Sequence, residues 1–190
     1  MKHLRIAFTA AVILAAGALY AEEPRRTAIG FTFDMLPTAV SAASGRFGYS
    51  YQTWAGIDHM RVRLVGAQIY MPDALGGSKS FDNRSMTVAA GIIDYVFGER
   101  FDGAWIGTGV ELWQNRIRCK SSGATSEWVN QVLTLGGGYI YRVKGNFYVE
   151  PWCAAHCIMN QRAVHDGSAS YSPQRLSAEV SLKAGYFFDM

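Results

Sequence analysis

From residue 27 onward, apolar and polar positions alternate with period two, the signature of strands whose two faces meet different surroundings. The last run is the clearest. Leu176, Ala178, Val180, Leu182, Ala184, Tyr186 and Phe188 share one face. Arg175, Ser177, Glu179, Ser181, Lys183 and Gly185 share the other, where Phe187 is the one large apolar side chain. Val129, Leu133, Leu135, Tyr139, Tyr141 and Val143 alternate with Asn130, Thr134, Gly136, Gly138 and Arg142. Ile106, Thr108, Val110 and Leu112 alternate with Gly107, Gly109 and Glu111. Phe147, Val149, Cys153 and Ala155 oppose Tyr148, Glu150 and His156. Four less regular runs, 27–35, 46–56, 60–70 and 86–97, complete a set of eight predicted strands. Their lengths match the roughly 9–11 residues that carry a tilted strand across a bilayer, or exceed it.

The connections alternate as well. Segments 36–45, 71–85, 116–127 and 160–174 are long, whereas 57–59, 98–103 and 144–146 are short and carry turn residues such as Lys144-Gly145-Asn146. Short turns at one end and long loops at the other are the asymmetry of outer-membrane barrels. Aromatic residues divide the same way. Tyr95, Phe97, Tyr139, Tyr141, Phe147, Tyr186 and Phe188 lie near the short turns and chain ends. Trp113, Trp128, Tyr70 and Tyr171 lie near the long loops, so the expectation is one aromatic girdle at each interface.

Residues 1–21 have the layout of a secretory signal peptide: a basic start at Lys2, His3 and Arg5, an apolar run from Ile6 to Tyr20, and small residues before Glu22-Glu23-Pro24. The apolar run is shorter than the roughly 20 residues a membrane helix needs. Cleavage after Ala21 leaves 169 residues, 22–190, as a single domain with a net charge of +1. The full chain is 49% apolar and only 17% charged, which excludes an intrinsically disordered protein. A formal charge of +3 is too small to indicate a nucleic-acid partner. Cys119, Cys153 and Cys157 are an odd number in an exported chain, and they supply too few ligands for zinc. Cys153 and Cys157 would stand about 13 Å apart on one strand face, too far to bridge. Cys119 could reach Cys157 only through a folded-over loop, so free thiols are expected.

The most specific feature is the ending Lys183-Ala184-Gly185-Tyr186-Phe187-Phe188-Asp189-Met190. Lys183, Gly185, Phe188 and Met190 in this spacing resemble the C-terminal β-signal by which outer-membrane barrels are recognised by the barrel-assembly machinery. Together with mature length and strand number, this ending resembles the small barrels of the OmpA transmembrane-domain, OmpX and OmpW type. The resemblance implies an all-β fold, an eight-stranded antiparallel up-and-down transmembrane barrel in the outer membrane. The peptidoglycan-binding domain of OmpA-like proteins is expected to be absent. A lipocalin-like barrel would reverse the two faces, but it leaves the β-signal and the loop asymmetry unexplained.

In the outer-membrane orientation, Arg61, Arg63, Asp94, Glu111, Arg142, Glu150, Glu179 and Lys183 face inward. Four cations and four anions in so narrow an interior read as a paired network that closes the lumen. A gate built from swapping ion pairs is the functional alternative. Catalysis on envelope lipid would need a hydroxyl beside an oriented base. His156 is followed two residues on by Ile158, and His165-Asp166-Gly167-Ser168 has the composition of a turn; Ser170 and His59 are placed no better. No enzyme, cofactor or metal site is therefore expected. The segment 116–127, with Arg116, Arg118 and Lys120 against Glu127, is expected to form a basic external loop. Expected partners are outer-membrane lipids, the assembly machinery during biogenesis, and a surface ligand or host partner met by the loops. The expected role is envelope-structural or surface-interacting, with a narrow channel for small or apolar solutes as the alternative.

Overall fold

The computed structural model describes residues 26–76, 78–98 and 101–190. The leader assigned to residues 1–21 lies outside the described residues.

Alternation of the two faces makes long strands, and short turns join them as antiparallel neighbours. In chain order these are β1 (Thr27–Asp34), β2 (Tyr49–Ile57), β3 (Met60–Tyr70), β4 (Phe81–Val96), β5 (Gly103–Cys119), β6 (Thr125–Lys144), β7 (Phe147–Ile158) and, last, β10 (Leu176–Asp189). They close into one barrel in the order β1-β10-β7-β6-β5-β4-β3-β2. β8 (Val164–Asp166) and β9 (Ala169–Tyr171) form a separate hairpin in the last long connection. The short turns use left-handed residues where the chain must reverse, at Asp58 and at Gly145.

The outside of the wall is apolar, and the inside holds the buried charges together with aromatic clusters. Phe31, Leu64, Val110, Leu135, Val180 and Phe188 are exposed, while Arg61, Glu150 and Lys183 are sealed from solvent. This orientation excludes the lipocalin-like alternative. On the outer face of β5 the apolar run ends at Leu112 and gives way to Gln114, Arg116 and Arg118.

The long connections and the upper girdle depart from expectation, and β4 already begins at Phe81, inside the expected loop 71–85. Segment 36–45 is not an open loop: α1 (Met35–Ala43) begins directly at Asp34, whose carboxylate accepts from the Leu36 amide as an N-cap. Segment 160–174 is not free either. Its hairpin sends Val164 into a cluster with Phe81, Ile117, Cys119 and Trp128, where Tyr171 packs at the edge. Trp113 and Trp128 do not form an outer girdle. They share the inward phase of Glu111 and Asn130 and are buried. The lower girdle residues Tyr95, Phe97, Tyr139, Tyr141, Phe147, Tyr186 and Phe188 are all exposed.

Candidate functional site: the barrel interior

Inward-facing side chains fill the barrel in layers. At the end of the short turns, Trp54, Phe101, Tyr148 and Phe187 form an apolar plug, with Trp54 ring contacts at 5.4 Å to Phe101 and 5.8 Å to Phe187. The plug needs backbone without side chains opposite it. A Cβ on Gly185 would lie 2.5 Å from the Tyr148 ring. The Tyr148 hydroxyl meets the Thr32 hydroxyl at 2.5 Å and accepts from Trp54 Nε1 at 2.9 Å.

Above the plug lies the main charge cluster. Arg61 donates through Nε to Asp94 at 2.8 Å and through both terminal nitrogens to Glu150 at 3.2 and 3.3 Å. Arg63 donates to the other Asp94 oxygen at 2.8 Å and to Gln52 at 3.0 Å. Lys183 Nζ lies 3.9 Å from Glu150 and 3.7 Å from the centre of the Trp152 ring. Trp105 stacks beneath the cations, its ring 4.7 Å from the Arg63 guanidinium and 5.2 Å from that of Arg61. Guanidinium forks and ring faces offset much of the cost of burying these charges, while Lys183 Nζ has ring and ion-pair neighbours but no hydrogen bond among the described residues. Gly107 makes the room, since a Cβ there would collide with Asp94 Oδ1.

A second polar cluster sits nearer the long-loop end. Glu111 accepts from Trp113 Nε1 at 2.6 Å and from the Thr134 hydroxyl at 2.5 Å. His156 Nδ1 is 2.9 Å from that hydroxyl, and its Nε2 is 3.2 Å from Glu179. Hydroxyl, imidazole and carboxylate thus stand in a row, but the Thr134 proton is already donated to Glu111. The arrangement bridges β5, β6, β7 and β10.

The eight inward charges therefore do not form one network. Arg61, Arg63, Asp94, Glu150 and Lys183 come together below, while Glu111 and Glu179 meet through His156 above. Arg142 lies with its guanidinium 4.5 Å from the centre of the Phe187 ring. Sequence reasoning did not single out Asp34, Gln52, Thr134 or the tryptophans that the cations stack on. Their inward phase was visible, but phase does not say which strands face one another across the lumen.

The remaining predicted residues lie outside these two clusters or at their edges. Arg116 and Arg118 are strand residues of β5, not parts of a loop. Each is matched by an acid on the neighbouring strand: Arg116 lies 3.6 Å from Glu127, and Arg118 donates twice to Asp82 at 2.9 Å. Lys120 donates to the Ser78 carbonyl at 3.2 Å. The expected basic loop is thus largely neutralised. In the turn that follows, the Ser122 hydroxyl donates to Asp166 of the β8–β9 hairpin and holds that carboxyl below the usual carboxylate range. Cys119, Cys153 and Cys157 are free thiols. Of the four residues expected to form a β-signal, Phe188 and Met190 are exposed, while Lys183 and Gly185 face the packed interior.

No known protein family and no curated protein sequence matches the chain. Solved structures do. The chain is similar to a major outer membrane protein from Thermus thermophilus at 13% identity, with 87% of this chain and 100% of that one covered and a TM-score of 0.51. It is also similar to the N-terminal β-barrel domain of Pseudomonas aeruginosa OprF, at 12% identity over 86% of this chain and 97% of that one, with a TM-score of 0.47. Neisserial surface protein A gives 14% identity over 86% of this chain and 94% of that one, also with a TM-score of 0.47. With its closed antiparallel sheet and inside-out polarity, the chain has the fold of a small eight-stranded outer-membrane β-barrel.

Proposed function

We propose that the chain is an integral outer-membrane protein with a sealed lumen and a non-catalytic role, structural in the envelope or interactive at its surface. One observation carries this reading: a belt of large apolar side chains, Phe31, Leu64, Val110, Leu135, Val180 and Phe188 among them, covers the outside of the wall while Arg61, Arg63, Asp94, Glu150 and Lys183 are sealed inside. In water that exterior would aggregate, whereas in hydrocarbon it is the stable one. The salt-bridged layer and the aromatic plug oppose free passage of ions or solutes. Surface interaction would run through the polar band above the apolar one, where Gln68, Tyr70, Gln114 and Arg116 line a groove of about 510 Å³.

Cell fractionation tests the placement. The protein should remain with the outer-membrane pellet after a carbonate wash and should migrate faster unheated than boiled in detergent gels. Recovery in the soluble periplasmic fraction would contradict it.

A further inference from the structure

The barrel wall is incomplete at one seam. β1 and β10 pair from Ala28↔Asp189 to Asp34↔Lys183, and there β1 ends. β10 continues through Leu176–Leu182 with β7 as its partner on one side. Seven strand residues span about 23 Å. α1 stands where β1 would have continued, and its hydrogen bonds to β10 among the described residues are at its start, through Ser181, which bonds Asp34 and accepts from the Leu36 amide at 3.3 Å. Its far end is tied to β3, where Ser41 Oγ accepts from the Tyr70 amide at 2.9 Å. The helix thus leads away from the β10 edge. Burial records the gap: the inward-facing Lys183, Gly185 and Phe187 are buried, whereas Ser177, Glu179 and Ser181 are only half-buried.

Behind this seam is a cavity of about 620 Å³, within the range of small-molecule sites. Val40, Met86, Trp113 and Ile158 give it apolar walls. The β8–β9 hairpin covers it from above, with Tyr171 packed at 6.0 Å against both Phe81 and Trp128. Glu179, held by His156, lies on the seam side, and the salt-bridged layer closes the barrel below. The lining also includes Ala178 and Val180, which belong to the outward face, and Val180 is 73% exposed. The cavity therefore communicates sideways with the apolar band. Across the barrel, four strands from β10 in the closed order, Arg84 of β4 also lines it. Among the described residues the buried Arg84 Nε has no hydrogen-bond partner; the guanidinium lies 5.8 Å from the centre of the Tyr171 ring, and one terminal nitrogen reaches Asn115 only at 3.5 Å. A buried guanidinium donor left unmatched is costly unless an acceptor arrives.

We propose that the seam is a side port through which the cavity takes a long-chain carboxylic acid from the adjoining leaflet. The carboxylate meets Arg84, and the chain lies along Met86, Trp113 and Ile158 and leaves between α1 and β10. This reading rests on the barrel lying in a bilayer.

Trp113 supplies the readout. The protein is folded into saturated phosphatidylcholine vesicles, insertion is checked by heat-modifiable gel mobility, and 9,10-dibromostearate is added while tryptophan fluorescence is followed. A saturable quenching component is expected. It should vanish in Trp113→Phe, disappear when Ser177→Phe fills the mouth, and need about tenfold more probe in Arg84→Gln. Quenching that rises in proportion to bilayer bromine and survives Trp113→Phe would mean contact through the membrane only and would overturn the port. Saturable quenching unchanged in Arg84→Gln would overturn the assignment of the head group. A chain that stays outside the vesicles would overturn both the port and the membrane placement, and the unshifted gel band would identify that case.

Discussion

Asp94 receives hydrogen bonds from two arginines that are themselves shut away from water, so its charge cannot be removed without stranding theirs. Asp94→Asn should lower the unfolding free energy by about 3–5 kcal/mol, the usual loss when one partner of a buried pair is removed. Urea unfolding in lipid vesicles measures this. Gly107→Ala should cost about 1–3 kcal/mol in the same assay, because the new methyl displaces the Asp94 carboxylate. On the opposite face, Leu182→Arg should cost about 2–4 kcal/mol if the residue sits near the bilayer midplane. An unchanged value would mean that the two faces are reversed. At this scale the sequence was informative about side and silent about partner. Period two sends Arg61, Arg63, Asp94 and Glu150 inward, but nothing in it pairs Arg61 with Glu150, which is 89 residues away. Trp113 shows the opposite failure: its nearness to a loop suggested the membrane interface, although its phase, shared with Glu111, already placed it inside.

The strands were legible because their alternation is long and regular. β3 begins and ends where its pattern does, at Met60 and Tyr70, and β10 departs from its pattern by one residue. The elements that escaped are those whose signals are local and short. α1 announces itself only by Asp34 as a cap, Pro37 in the first turn and an alanine-rich run that stops before Gly45. The β8–β9 hairpin has two three-residue strands around Gly167, too short for any periodicity. β5 extends to Cys119 because Arg116 and Arg118, which read from sequence as the start of a loop, stay in strand after the outward face turns polar. Asp34 joins these levels: it caps α1, bonds Ser181 and accepts from Trp152 Nε1 at 3.1 Å. Asp34→Ala should therefore cost more than the roughly 1 kcal/mol of a lost cap. Hydrogen exchange should show the amides of α1 and the Leu176–Leu182 edge opening faster than those of β5 and β6. Equal protection would mean that α1 seals the seam.

Seen whole, the molecule is a barrel closed three times: by the aromatic plug, by the salt-bridged layer and by the hairpin folded over its mouth. The inward charges sit on six of the eight wall strands, so the seal forms only when the barrel does. Biogenesis should depend on the final strand. Phe188→Asp or Met190→Asp should leave unassembled chain in the periplasm, measured by fractionation, and normal outer-membrane levels would refute a β-signal role for these residues. The central claim, a membrane barrel with a sealed interior, is tested most directly by planar-bilayer conductance of the folded, detergent-purified protein, with heated and unheated gel mobility as the folding control. A correctly folded barrel should insert and pass no current. Reproducible conductance steps from the same folded preparation would contradict the seal and make the Arg61–Asp94–Glu150 layer a gate.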